Sequence, residues 1–124
     1  EKHRSSGVIT GDLFAGDVAG TTAVVVDDLI ATGGTLVRAG RAARGAGARR
    51  VITAVAHGLF MPGAETALAD PAIDAILVTD TVPSFRLAPG SVRDKLEIVT
   101  VAPLLADVVR RLHEDAALDD LAIM

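Results

Sequence analysis

The stretch that decides the fold spans residues 24–36 and reads VVVDDLIATGGTL. Its apolar beginning, a run of valines bounded by polar residues, is typical of a strand that is buried on both faces in a parallel sheet. Its end is rich in small and hydroxyl-bearing residues, which are typical of a loop that leads into a helix. We therefore expect a strand, a loop and a helix, with Asp27 and Asp28 at the carboxyl end of the strand.

The loop of this unit has the composition of a phosphate-binding site. Open α/β sheets bind their ligands at the carboxyl edge of the strands. A helix that begins there presents free backbone N–H groups and the positive end of its dipole. Gly33 and Gly34 let the main chain approach an anion closely, and the hydroxyls of Thr32 and Thr35 add donors.

The two aspartates suit another part of the same ligand. Because like charges repel, Asp27 and Asp28 are not expected to bind a bare phosphate. Carboxylates instead accept hydrogen bonds from sugar hydroxyls, or hold Mg²⁺ through water beside a phosphate. Ordinary turn and capping chemistry explains either half of the stretch alone. The two halves in this order favour a site for a sugar phosphate.

The same stretch resembles the ribose-phosphate loop of type I phosphoribosyltransferases and phosphoribosyl pyrophosphate synthetases. In those families Asp-Asp is followed by two hydrophobic residues, an acidic residue and Thr-Gly-Gly-Thr or Thr-Ala-Gly-Thr. Ala31 stands at the acidic position, which in the family helps to bind the ribose 5-phosphate region. The resemblance implies a ribose-5-phosphate site made of Asp27, Asp28, Ala31, Thr32, Gly33, Gly34 and Thr35.

The chain opens with a basic cluster, Lys2-His3-Arg4, which taken alone is typical of a solvated terminus. Phosphoribosyl pyrophosphate synthetases carry a Lys-Arg-Arg-like triplet on a mobile catalytic loop, shortly before a Gly-Asp-Val-x-Gly turn. Residues 16–20 read GDVAG here. The resemblance implies that Lys2 is the main transition-state cation and that Arg4 bridges phosphate oxygens, with His3 in place of the middle basic residue.

Two later turns extend the resemblance. His57 and Gly58 match a Thr-His-Gly-like turn of the synthetases, with Ala56 in place of the threonine. A general acid or a metal ligand needs partner residues that are not evident near His57, so we interpret it as a hydrogen-bonded loop residue. Residues 80–83 match an Asp-Thr-Ile-Pro-like turn, which either lines a nucleotide or effector site or is a simple turn.

The rest of the chain alternates strands with helices. We expect a strand or hairpin arm within residues 8–15 and an arginine-bearing helix face exposed to solvent. We also expect an ion pair between Asp107 and Arg111. Strands are predicted over residues 51–56, 73–79 and 96–101, and helices over 36–45, from 62 to about 70, and from Pro103 onward. The predicted fold class is α/β, with residues 1–124 forming one domain. Its core is a Rossmann-like parallel sheet of the type I phosphoribosyltransferase kind with helices on both faces.

Composition narrows the classes of partner. A net charge of −4 argues against nucleic acid, which would need a clustered basic surface. The absence of cysteine excludes disulfides and thiolate chemistry. No apolar run approaches the length of a membrane span, so we expect a cytoplasmic protein without a membrane partner. Because the first residue is Glu1, we expect a part of a longer protein.

The resemblance implies the carboxyl-terminal half of a ribose-phosphate pyrophosphokinase. Such enzymes transfer pyrophosphate from ATP to ribose 5-phosphate, giving phosphoribosyl pyrophosphate and AMP. Mg²⁺ is the implied cofactor, with no certain protein ligand, although Asp27 and Asp28 can hold it through water or substrate. A homo-oligomer and an amino-terminal domain are also implied. Because that domain would contribute much of the ATP and metal site, we expect this chain to bind ribose 5-phosphate or phosphoribosyl pyrophosphate with little or no turnover.

Two alternatives remain open at the level of sequence. A type I phosphoribosyltransferase would use the same loop while a base displaces pyrophosphate, although no hood segment for the base is evident. A non-catalytic, synthetase-like regulatory subunit is favoured by Ala31 and His3 at motif positions.

Overall fold

The structure, a computed structural model, describes residues 3–5, 8–10 and 17–121. Within those residues, four parallel strands form one sheet in the order β3-β4-β5-β6, and β1 and β2 form a separate antiparallel pair. The elements are β1 (His3–Ser5), β2 (Val8–Thr10), β3 (Thr22–Ile30), α1 (Gly34–Gly45), β4 (Arg50–Gly58), α2 (Ala64–Leu68), β5 (Ala75–Thr79), α3 (Ser91–Asp94), β6 (Leu96–Val99), α4 (Ala102–His113) and a 3₁₀ turn (Asp119–Leu121).

The predicted α/β parallel sheet is confirmed, and most predicted elements are present. The strand that carries the aspartates is longer than expected. Asp27 lies opposite Val55 of β4, and the pairing continues until Ile30 lies opposite Gly58. Asp27 and Asp28 therefore lie inside β3, since the backbone stays in the ladder past the valines. The hairpin arm predicted within 8–15 is present as β2, and residues 11–16 lie outside the described residues.

One face of the sheet carries the core. Val55, Ile76 and Val78 of the sheet form a single buried cluster with side chains from helices α1, α2 and α3. The helix residues that were expected to face the sheet, Leu36, Gly40 and Ala43, are all buried. The helix residues in the cluster are Leu36, Val37, Ala64, Leu68 and Val92.

The opposite face of the sheet is open. Val24 and Val26 are 58% and 77% exposed, so the expectation that β3 is buried on both faces is wrong. Helix α4 has no buried residue, and its apolar side chains stay exposed. Within the described part of the chain, the helical cover expected on both faces is therefore seen on one face only.

Ion pairs fix helix α1 to the loop that precedes β5. Arg41 and Arg44 of α1 bind Asp70 and Asp74, each at 2.5 Å. Asp74 also accepts a hydrogen bond from the N–H of buried Val51 at 2.6 Å, which holds the start of β4 beside β5. The predicted pair between Asp107 and Arg111 is confirmed at 2.8 Å.

None of the helices in the described residues has the length and hydropathy required to cross a membrane.

Acid should weaken the fold through Asp70. Its carboxylate accepts the Ala72 N–H at 2.8 Å and binds Arg41, and these contacts lower the pKa of Asp70 below the ordinary value of 3.8. A carboxyl whose pKa is lowered by folding stabilises the fold above its unfolded pKa, and loses that contribution as the pH falls through the folded pKa. We predict that the free energy of unfolding decreases below about pH 4, and that Asp70→Asn makes this decrease smaller.

Urea unfolding at pH 7 and at pH 3 measures this effect. The control is Asp119→Asn, which changes an exposed carboxylate on the carboxyl-terminal 3₁₀ turn. An Asp70→Asn chain with the same loss of stability between the two pH values as the control would contradict the assignment.

Candidate functional site

The loop between β3 and α1 lies exposed at the carboxyl edge of the sheet. Ala31, Thr32, Gly34 and Thr35 are exposed, while Gly33 between them is buried. A cavity of about 90 Å³ opens here, and it is lined by Asp27, Leu29, Ala31, Thr32, Gly33, Gly34, Thr35 and Leu36. The structure thus brings together the loop residues and one of the aspartates that the sequence singled out.

Gly33 determines the path of the loop. Its φ of 79° lies in the left-handed region, which residues with a Cβ rarely adopt. A Cβ on Gly33 would also lie 2.7 Å from the side chain of Leu68, which is fully buried. The loop therefore turns tightly over α2, and Leu36 enters the core one turn later.

The loop after β4 fixes the beginning of the loop between β3 and α1. The N–H groups of Leu59 and Phe60 donate to the carbonyl of Ile30 at 3.0 and 3.2 Å, and the Met61 N–H donates to the carbonyl of Ala31 at 2.9 Å. These bonds hold the backbone at Ile30 and Ala31 against a second segment of backbone. Sequence reasoning did not identify this role of residues 59–61, because donation by a backbone N–H does not depend on the identity of the side chain.

One sequence signal for that second loop does exist in Gly58. A Cβ on Gly58 would lie 2.5 Å from the ring of Phe60, so the glycine lets this ring pack directly against the end of β4. Phe60 is 3% exposed and adopts a φ of 46°, which is unusual for a residue with a side chain. Arg86 donates to the carbonyl of Leu59 at 2.9 Å and holds the outer side of this loop.

The beginning of α1 has neither a side-chain cap nor a negative charge. No side chain caps this helix, and its first turn contains no acidic residue. The first amides of a helix have no acceptor within the helix, and they lie at the positive end of its dipole. Together with the Thr32 and Thr35 hydroxyls, they form a group of donors at the cavity.

The two aspartates are placed differently. Asp27 lines the cavity and its Oδ1 accepts the N–H of Asp28 at 3.0 Å. Asp28 is exposed and does not line the cavity. Because successive side chains of a strand point to opposite faces, a single cavity receives one of the two more readily than both.

The basic cluster Lys2-His3-Arg4 lies largely outside the part of the chain that the structure describes. Lys2 lies outside the described residues, and Arg4 is described only as a backbone position in β1, opposite Ile9 of β2. Among the described residues, no group of three or more His, Cys, Asp or Glu side chains is arranged to hold a metal ion. Asp27 supplies a carboxylate at the cavity, which is the type of ligand that would hold a Mg²⁺ ion if one were bound there.

His57 is hydrogen-bonded, as expected, although it lies in β4 and not in a loop. Its Nδ1 lies 2.7 Å from the Thr81 hydroxyl, which lies 2.7 Å from the Thr79 hydroxyl. Thr79 donates to the carbonyl of Ala56 at 2.5 Å, and the Thr81 hydroxyl donates to the same carbonyl at 3.2 Å. These contacts join the carboxyl ends of β4 and β5.

Asp80 behaves as a turn residue. A hydrogen bond from the Thr100 hydroxyl and another from the Val101 N–H, at 3.0 Å, lower the pKa of Asp80 below its ordinary value. Its carboxylate thus ties the end of β5 to the beginning of α4.

These features define a class of protein: an α/β protein whose candidate site is a strand, loop and helix junction at the carboxyl edge of a parallel sheet. Residues 12–122 match the family described as the phosphoribosyl synthetase-associated domain. The chain belongs to that family.

Named relatives agree with this membership. The ribose-phosphate pyrophosphokinase of Aquifex aeolicus is 38% identical over 106 residues, which are 86% of this chain and 33% of the relative. That of Prochlorococcus marinus is 34% identical over 123 residues, which are 98% and 36% of the two chains. The crystal structure of phosphoribosylpyrophosphate synthetase from Mycobacterium smegmatis superposes with a TM-score of 0.70 at 36% identity, over 82% of this chain and 33% of that one. The chain thus spans about a third of the length of these relatives.

The shape of the loop should depend on the missing side chain at Gly33. We predict that Gly33→Ala lowers the free energy of unfolding by about 1–3 kcal/mol, because it combines backbone strain with a clash against Leu68. Gly34→Ala is the matched control, since a Cβ there would meet nothing within 4 Å. Urea unfolding of both variants measures the difference, and equal stability of the two would contradict this account of the loop.

Proposed function

We propose that this chain is the ribose-phosphate-holding part of a ribose-phosphate diphosphokinase. The complete reaction transfers pyrophosphate from ATP to ribose 5-phosphate, giving phosphoribosyl pyrophosphate and AMP. The observation that carries the proposal is the uncapped start of α1, whose amides share one cavity with Asp27. The names of the relatives supply the reaction.

In this proposal the 5-phosphate binds at the amides and hydroxyls of residues 32–35. The pentose lies toward β3, where the Asp27 carboxylate accepts hydrogen bonds from ring hydroxyls. Asp28 is exposed on the same strand and does not line the cavity. In this proposal it contacts the part of the sugar, or of its metal ion, that extends beyond the cavity. Ala31 adds no charge at this position, and its carbonyl is already bound to the Met61 N–H.

The chemical step needs cations as well as this cradle. The 1-hydroxyl of ribose 5-phosphate attacks the β-phosphorus of ATP and loses its proton to solvent. The bond from that phosphorus to the α-phosphate oxygen breaks, and AMP leaves. Negative charge on the transferred group is stabilised by Lys2 and Arg4 of the basic cluster. Mg²⁺, when bound beside Asp27 and the substrate, neutralises phosphate charge.

The chain spans about a third of its relatives, so the rest of the catalytic apparatus belongs to other parts of the enzyme. We propose the carboxyl-terminal half of the type I phosphoribosyltransferase-like architecture, working in a cytoplasmic homo-oligomer with an amino-terminal domain. This chain then binds ribose 5-phosphate and phosphoribosyl pyrophosphate, but releases AMP from ATP slowly or not at all.

Isothermal titration of ribose 5-phosphate, with and without Mg²⁺, tests the proposal. We expect binding that Asp27→Asn weakens about tenfold, which is the loss of one or two hydrogen bonds to a charged acceptor. Asp94→Asn, which changes an exposed carboxylate on α3, is the control and should bind as the unchanged chain does.

Two results would contradict the proposal. One is the absence of binding at millimolar ribose 5-phosphate. The other is binding that Asp27→Asn and Asp94→Asn reduce equally. Parallel titrations with ATP and with nucleobases distinguish a diphosphokinase from a phosphoribosyltransferase, and a coupled assay of AMP release shows whether this chain turns over alone.

A further inference from the structure

A line of hydrogen bonds leads from Arg86 to the loop between β3 and α1. Nη1 of Arg86 donates to the carbonyl of Leu59 at 2.9 Å. That carbonyl belongs to the same peptide unit as the N–H of Phe60, which donates to the carbonyl of Ile30 at 3.2 Å. The carbonyl of Ile30 in turn shares a peptide unit with the N–H of Ala31, a residue that lines the cavity. Peptide groups alone therefore connect the guanidinium with the candidate site.

A second branch reaches the next peptide unit of the loop. The Met61 N–H donates to the carbonyl of Ala31 at 2.9 Å, and this carbonyl shares a peptide unit with the N–H of Thr32, which also lines the cavity. In a trans peptide unit the C=O and the N–H point in opposite directions. Bonds that hold the carbonyls of Ile30 and Ala31 against residues 59–61 therefore direct the following N–H groups away from that segment.

Arg86 itself is held by its neighbours in the loop before α3. Its guanidinium lies over the ring of Phe85, with 5.0 Å between Cζ and the ring centroid. Leu87 is buried in the hydrophobic cluster, and its N–H donates to the carbonyl of Ser84 at 3.1 Å. Arg93 donates to the same carbonyl at 3.1 Å and to the Ser84 hydroxyl at 3.0 Å. The contact from Arg86 to the carbonyl of Leu59 therefore starts from a fixed turn.

The charge of Arg86 acts on the peptide groups as well as its geometry. A hydrogen bond donated by a cation is stronger than one between neutral groups, and hydrogen bonds in a chain polarise one another. Arg86 thereby makes the Phe60 N–H a stronger donor to Ile30, and this effect continues to the N–H of Ala31. Arg86 does not line the cavity, so its influence on a ligand there passes through the backbone.

We propose that Arg86 is a positioning residue for ribose 5-phosphate, because it orients and polarises the peptide units that end in the N–H groups of Ala31 and Thr32. Ala31 has no polar side chain, so the orientation of its backbone decides what this position offers to a phosphate. The inference rests on the proposed function, since it concerns the affinity of the same cavity for the same ligand.

Isothermal titration of ribose 5-phosphate with Mg²⁺ tests the role of Arg86. Arg86→Met removes the donor and the charge, whereas Arg86→Lys keeps a cationic donor. The matched control is Arg44→Gln, because Arg44 donates to the carbonyl of Arg49 at 2.7 Å, just before β4 begins at the opposite edge of the sheet. Urea unfolding of each variant measures the change in stability separately from the change in affinity.

We expect Arg86→Met to raise the Kd about fivefold, which lies within the range by which residues outside a site alter binding through connected contacts. Arg86→Lys should bind within about twofold of the unchanged chain, because a cation still holds the carbonyl of Leu59. Arg44→Gln should lose stability, since Arg44 also pairs with Asp74, and yet keep its affinity. A purely structural role of Arg86 would not separate these variants.

A second measurement uses the unchanged chain, so it remains decisive if Arg86→Met does not fold. If the contact between Arg86 and Leu59 favours binding, binding must favour the contact to the same extent. Addition of ribose 5-phosphate should therefore shift the NMR resonances of the Leu59 carbonyl carbon and the Phe60 amide proton downfield. These shifts should saturate together with those of the amides at the start of α1.

Two results would overturn this inference alone. One is binding that Arg86→Met weakens no more than Arg44→Gln does. The other is binding that saturates while the resonances of Leu59 and Phe60 stay unchanged. Absence of binding by the unchanged chain is a different result, because it overturns the proposed function and this inference together.

Discussion

The candidate site depends on the close approach of Gly33 to Leu68. The backbone at Gly33 takes a left-handed turn directly over a fully buried leucine, where any Cβ would lie 2.7 Å away. This contact turns the chain from β3 into α1 within a few residues and leaves the neighbouring amides in solvent. Hydrogen bonds from residues 59–61 to the carbonyls of Ile30 and Ala31 hold the other side of the loop. The loop can be exposed and still well positioned because Leu68 is fully buried on one side and Phe60 is buried on the other.

The two faces of the sheet have different roles. The covered face contains the hydrophobic cluster that positions the loop, with Ile30, Leu36 and Leu68 in the same cluster. The open face contributes little to the stability of the described residues, since Val24 and Val26 remain mostly exposed. β3 is also an edge strand, with β4 as its one neighbour in the described sheet. The candidate site therefore lies on the edge strand of the described sheet. It is next to the exposed face of the sheet and next to the unpaired edge of β3.

Much of this arrangement follows from local pattern. The burial of Leu36, Gly40 and Ala43 was predictable because helical periodicity depends only on neighbouring residues. The partner of His57 was not predictable, because its hydrogen bond to Thr81 joins side chains that are 24 residues apart. For the run of valines, the prediction of burial on both faces was wrong within the described residues, because an apolar strand does not by itself specify that both of its faces are covered. At the site, sequence indicated the loop and the aspartates, but alternation along β3 separates Asp27 from Asp28.

The central claim is that the backbone amides at the start of α1 bind a phosphoryl group. It is tested most directly by recording the backbone amide NMR resonances of the isotopically labelled chain during addition of ribose 5-phosphate. The account predicts that the largest, saturable shifts fall on the amides of Gly34, Thr35 and Leu36, with inorganic phosphate shifting the same group less. Shifts that cluster around Arg86 and the cavity beside it, with the α1 amides unchanged, would contradict the account.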